Sequence, residues 1–195
     1  MNSSSPLVAT LLAIDDINRQ DPNLITLNNS EQAKELVYGQ QMSACLEKYW
    51  PNSNEILQIA VRAQHIKRWH LKRNEFELGK AGYYKWRIAL GKFHAETTEK
   101  LMTTNGYNHE QAAKAGSILR KENLKTNNAA QTLEDVACLV FLQHYFDEFA
   151  RKHSEEKIIR ILQKTWAKMS GQAQSIALTF SLPAHLTKLV EKALA

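Results

Sequence analysis

The sequence predicts an all-α protein, a single compact domain of packed helices, on three observations. Apolar residues recur at three- and four-residue spacing along most of the 195 residues. Glycine is scarce, at 7 residues. No segment sustains the period-two alternation of β-branched residues that marks a half-buried strand.

The elements follow in order. A first helix is expected near 6–19, ending before Asp21-Pro22. A second over about 30–49 is closed by Trp50-Pro51, because the residue before a proline is pushed out of the helical region. A third spans about 53–69, apolar round most of its circumference (Ile56, Leu57, Ile59, Ala60, Val61, Ala63, Ile66), with a narrow polar edge of Gln58, Arg62, His65 and Trp69. After a loop ending at Gly79 and Gly82, a fourth helix over about 82–104 stops at Asn105-Gly106. A fifth, about 108–121, starts from Asn108 as its cap. The sixth, about 132–152, is the most apolar, with Val136, Cys138, Leu139, Leu142, Phe146 and Phe149 on one wide face. A seventh spans about 154–169, and shorter helices fill 172–180 and 183–194. No internal repeat, low-complexity tract or linker interrupts the chain, so 1–195 reads as one domain, with 172–194 packed on the rest.

Composition narrows the class. Hydrophobic content of 44% with 23% charged residues is that of a globular protein, and 195 residues are enough to bury a real core. Cys45 and Cys138 are too few and too far apart for a disulfide framework and read as buried free thiols, which fits a cytoplasmic location. No apolar run reaches the roughly 18 residues of a membrane span. The start, MNSSSPLVATLLAIDD, lacks a basic leader and turns acidic within its apolar stretch, unlike a signal peptide.

The formal charge of +5 is concentrated in Gln64–His94, where Lys67, Arg68, Lys72, Arg73, Lys80, Lys85, Arg87 and Lys92 stand against only Glu75 and Glu77. Histidines and large aromatics are interleaved with them. A local cationic patch of this kind favours phosphorylated or nucleic-acid partners. Within it, His65, Arg68 and Trp69 fall on adjoining helical surface, as a ligand- or metal-binding imidazole beside an anion-binding guanidinium, or as a histidine welcomed by the negative end of a helix. On the fourth helix Tyr83, Arg87, Leu90 and His94 share a stripe that lines a pocket or forms an amphipathic boundary, while Glu96 points away beside Lys92 and Lys100. Lys121 and Lys125 extend the basic surface or are solvated. Tyr38 and Gln41, on the face of Cys45, look into the same cavity or pack in the core. Asp135 faces the core, where an ionised carboxylate needs a cation, a metal or several donors. Alternatively Thr132-Leu133-Glu134-Asp135 is a capping box with Thr132 as the cap.

Five segments, LVYGQQM (36–42), RAQHIKRW (62–69), GYYKWR (82–87), FHAE (93–96) and QTLEDVACLVFLQHYFDEF (131–149), carry a resemblance to the domain of unknown function family 4202 over most of the chain, about 6–170. The helix order more loosely resembles the HD superfamily of metal-dependent phosphohydrolases. Those proteins surround a divalent metal with a His, a His-Asp pair and a distant Asp. IAVRAQHI resembles the helix ending in the pair, and TLEDVACL the helix with the last Asp. The resemblance implies His65 and Asp135 as metal ligands, and spacing alone offers His94 as a third donor. The chain departs from the pattern at Ile66, where the paired Asp would stand. If His65 takes that Asp position, Gln64 takes the His position. On the second helix only Tyr38 or Gln41 falls near the first His.

These features lead to three expectations. The first is a phosphohydrolase of a nucleotide or other phosphorylated small molecule, with a rearranged site for Mn, Fe, Co or Ni. Arg68, Arg73, Arg87 and Lys121 would grip phosphate, and Tyr38, Gln41, Gln64, Trp69 and Tyr83 would line the pocket. The second is a metal-free binder of a nucleotide or other anionic metabolite. The third is an RNA-binding module stacking bases on Trp69, Tyr83, Tyr84 and Trp86.

Overall fold

A computed structural model describes residues 5–27, 29–124 and 126–195. Its architecture is all-α apart from one short hairpin, and its described residues fall into two compact units, Met1–Leu133 and Glu134–Ala195. None of the described helices is long and apolar enough to cross a membrane.

In the first unit, helix α1 (Pro6–Asn18) begins at Ser5, whose Oγ accepts from Val8 N, with Pro6 in the first turn where its missing N–H costs nothing. A two-stranded antiparallel hairpin follows, β1 (Leu24–Leu27) and β2 (Ser30–Ala33), in the register Leu24↔Ala33 to Leu27↔Ser30. This corrects the expected helix start at 30. Asn29 turns the chain at φ 62, and Lys34 N donates to Asn23 O, so the ladder extends up to the helix. Helix α2 (Lys34–Tyr49) is then capped from outside its own segment: the buried Asp21 accepts from Glu35 N at 3.0 Å. No local pattern at residue 33 could signal this cap.

Helix α3 (Glu55–Arg62) starts at Asn54, whose Oδ1 accepts from Leu57 N, and stops seven residues short of the expected end. Lys67 stands in the left-handed region at φ 50, and its N–H donates to Asn18 Oδ1 at 2.9 Å. Asn18 Nδ2 donates to Glu35 O, so one buried amide ties α1, α2 and the segment after α3 together. Short 3₁₀ turns at Arg68–His70 and Arg73–Glu75 lead to helix α4 (Gly79–Thr104).

Helix α4 ends at Asn105-Gly106 as expected, with Gly106 at φ 98 and Tyr107 N donating to Met102 O. Helix α5 (His109–Leu119) carries a full capping box between Asn108 and Gln111. Helices α1, α3 and α5 pack around α4 and α2, and the fully buried Ile14, Met42, Ile59, Ala60, Val61, Ile66, Ala95 and Met102 fill the centre. Cys45 is a buried free thiol, its pKa pushed up to about 12 by that burial.

Helix α6 (Asn128–Val140) begins four residues before the expected start. Asn127 Oδ1 accepts from Ala129 N and Ala130 N, and Thr132 Oγ1 donates to Asn128 O, so the capping box at Thr132 does not form. In the second unit a π-helical turn (Phe141–Tyr145) separates α6 from α7 (Phe146–Arg151). Helices α8 (Glu155–Trp166), α9 (Gly171–Ala177) and α10 (Ala184–Leu194) complete it, with α10 packed on α8 and Lys192 paired to Glu155 at 2.6 Å. Cys138 is likewise a buried free thiol.

Candidate functional site

The segment after α3 and the middle of α4 border one cleft of about 750 Å³ in the first unit, together with the end of α5 and the residues after it. Such a volume suits a small-molecule ligand. Gln64, His65 and Arg68 come from the first wall, Tyr84, Arg87, Ile88, Gly91 and His94 from the second, and Arg120 and Lys121 from the third. Three positions that carry cleft side chains, or adjoin them, hold a left-handed backbone without being glycine: Lys67 at φ 50, Lys121 at φ 56 and Asn123 at φ 53. Backbone of this kind persists only where surrounding contacts over-determine it.

His94 is buried. Its Nδ1 lies 2.8 Å from the carbonyl of Ile66, which can only accept, so Nδ1 carries the proton. Burial, with His65 and Arg68 nearby, lowers its pKa to about 3, so the imidazole is neutral and Nε2 is an acceptor. That Nε2 is buried without a partner, and so is Oε1 of Gln64. Such unpaired buried acceptors are uncommon in a folded protein.

His65 is clamped on two sides. Its Nδ1 lies 3.0 Å from Glu35 Oε2, and its ring stacks on Tyr38 with centroids 4.0 Å apart and planes 13° from parallel. Burial, and then the cations Arg68, Arg87, Lys121 and Lys34, hold its pKa well below the usual value. Burial raises Glu35 to about 7, against the opposing pull of Arg68 and Lys34. Arg68 Nε reaches Glu35 Oε1 at 4.0 Å, and its guanidinium lies over the Trp86 ring at 4.9 Å. Trp86 is itself anchored, its Nε1 donating to Leu71 O.

The cations differ in what they already hold. Arg87 is exposed and makes no ion pair among the described residues. Arg120 is paired to both Glu99 and Glu122. Lys121 is half-buried at the cleft wall. Lys92, with Glu96, also borders it, the two 3.8 Å apart.

The structure therefore brings together Gln64, His65, Arg68, Arg87, His94 and Lys121. Arg73 is spent on backbone, donating to Phe76 O and Gly79 O and so closing the loop before α4. Tyr38 backs His65 rather than bordering the cleft. Gln41 and Trp69 are half-buried, and Tyr83 is 45% exposed against Tyr84 and Trp86. The cleft takes the neighbouring stripe of α4, Tyr84 and Ile88, instead of Tyr83. Lys125 lies outside the described residues.

Asp135 belongs to the second unit, where both its oxygens are engaged: Ser170 N donates to Oδ1 at 2.8 Å and Ser170 Oγ donates to Oδ2 at 2.6 Å. Ser170 in turn caps α9 through Ala173 N. Among the described residues no group of three or more His, Cys, Asp or Glu side chains gathers where an ion could be held. The divalent metal implied by the HD resemblance thus meets no fitting donor set: His65 Nδ1 faces Glu35 and Asp135 serves Ser170.

Sequence reasoning did not single out Glu35 or Arg120. For Glu35 a signal existed, since it sits three residues before Tyr38 on the same face of α2. Arg120 follows α5, and no pattern along the chain marks its approach to α4.

Fold and cleft together define a mostly helical protein with a cationic, partly apolar cleft in its first unit. The family model described as Domain of unknown function (DUF4202) matches residues 8–190, and the chain belongs to that family. No curated protein and no solved structure matches it.

Proposed function

We propose that this protein binds a phosphorylated small molecule, a nucleotide or another anionic metabolite, in the cleft between α4 and the segment after α3. The observation that carries this reading is Arg87, a guanidinium without an ion pair among the described residues, converging with Arg68 and Lys121 on a cleft of ligand size. Forked guanidinium donors suit phosphate oxygens, and a partly desolvated setting strengthens the attraction. Thermal-shift titration with pyrophosphate and nucleotides, in EDTA, tests it. Binding at 100 times Kd stabilises by about 2.7 kcal/mol and raises Tm. Arg87→Ala is expected to weaken the effect, and no shift with any phosphate would overturn the reading.

Hydrolysis of the same ligand is a second reading, favoured by one feature. The Glu35–His65 contact fixes an imidazole beside the cations, as carboxylate–histidine pairs do where a ring must handle protons. Release of inorganic phosphate from a nucleotide panel, with and without added Mn²⁺, Fe²⁺, Co²⁺ or Ni²⁺, and its loss in His65→Gln, would support it. Stacking of RNA bases is less favoured, because Trp86 is already held by Arg68 and Leu71.

A further inference from the structure

The polar groups of the cleft are of two opposite kinds. Arg68, Arg87 and Lys121 can only donate, and a fully ionised phosphate monoester group, which brings only acceptors, complements them. His94 Nε2 and Gln64 Oε1 can only accept, and both are buried and unpartnered. A phosphate cannot pair with either and would be repelled by their lone pairs. Both acceptors are already without a partner before any ligand binds, so a ligand that reaches them with donors as well as phosphate gains hydrogen bonds that a phosphate alone cannot make.

We infer that the cleft selects a phosphate monoester whose other end offers hydroxyl or amino hydrogens to His94 Nε2 and Gln64 Oε1, the chemistry shared by sugar phosphates and nucleotides. This rests on the reading of the cleft as phosphate-binding. The backbone enforces the acceptor at His94, because the Ile66 carbonyl keeps the ring proton on Nδ1. The mouth adds an apolar flank, with Tyr84 at 54% and Ile88 at 73% exposure one turn apart on α4, against which a sugar or base face can lie.

The experiment is calorimetric titration of the full chain in EDTA with four probes: pyrophosphate, n-butyl phosphate, ribose 5-phosphate and AMP. A hydrogen bond gained by a buried, unpaired acceptor is worth roughly a factor of ten in affinity, so ribose 5-phosphate or AMP should bind at least about tenfold more tightly than butyl phosphate. Similar affinities for those two assign the donors to hydroxyls, and a strong preference for AMP assigns one to the base amino group. In Gln64→Leu, which removes one acceptor without disturbing the His94–Ile66 bond, the preference should fall to about threefold or less. Butyl phosphate binding as tightly as the donor-bearing esters, or a preference untouched by Gln64→Leu, overturns this inference while leaving phosphate binding intact. No binding by any of the four probes overturns the phosphate reading, and this inference with it.

Discussion

His94 and Glu35 set the pH response of this protein in opposite directions. The folded pKa of His94 is depressed from 6.5 to about 3, so its contribution to stability is present above pH 6.5 and is lost as pH falls. By pH 5 the loss reaches about 2 kcal/mol, set by the unfolded chain's readiness to take the proton. His94→Asn, whose Nδ2 can replace Nδ1 towards Ile66 O, should lose that dependence, seen as urea midpoints that fall less between pH 7 and pH 5 than in the parent. Glu35 is raised from 4.5 to about 7, so its contribution is present below pH 4.5 and is lost as pH rises through 7. Glu35→Gln should therefore gain on the parent by about 3 kcal/mol between pH 4.5 and pH 8. A flat difference between the two chains over that range would contradict the burial of this carboxyl. His65 and the basic character of its surroundings were legible in the sequence. Glu35 was not singled out, although its place three residues before Tyr38 puts it on the same face of α2.

At the scale of elements, two contacts hold the walls of the first unit. Arg62 on α3 grips Asp15 on α1 through two parallel bonds of 2.7 and 2.5 Å, with both side chains nearly buried. Asp15→Ala strands a buried guanidinium and should cost about 3–5 kcal/mol in chemical denaturation, with Asp15→Ala/Arg62→Met recovering part of it. The start of α4 depends on glycine: a Cβ at Gly82 would lie 1.8 Å from the backbone oxygen of Glu77. Gly82→Ala should cost about 1–3 kcal/mol. Gly91→Ala, with its nearest neighbours at 3.7 and 3.9 Å, should be neutral or stabilise by up to about 1 kcal/mol. Comparing the two thermal midpoints separates close approach from simple helix propensity. The fifth helix was legible to its Asn108 cap and the fourth to its glycine stop, because both signals lie within a few residues. The hairpin at 24–33 and the early end of α3 were not, because Asp21 and Asn18 impose them from elsewhere in the chain.

For the whole molecule, Asp135 belongs to the second unit and the proposed ligand cleft to the first. Asp135 serves the cap of α9 within the second unit. Asp135→Ala should lower stability by about 1–2 kcal/mol, as a lost cap does, while the nucleotide-induced thermal shift keeps its size. Loss of that shift would return Asp135 to the ligand site, as the HD resemblance implied.

The sequence by itself determined the all-helical class, the membership of the family and the cationic stretch, because periodicity, caps and charge are local properties of the chain. Only the tertiary structure decided which cations face a cleft and which, like Arg73, are spent on backbone. It also turned one ring nitrogen of His94 towards Ile66, leaving the other without a partner. The His94–Ile66 bond joins residues 28 apart in sequence, while the path of its own loop turns Arg73 onto backbone three and six residues away, and no spacing along the chain encodes either outcome.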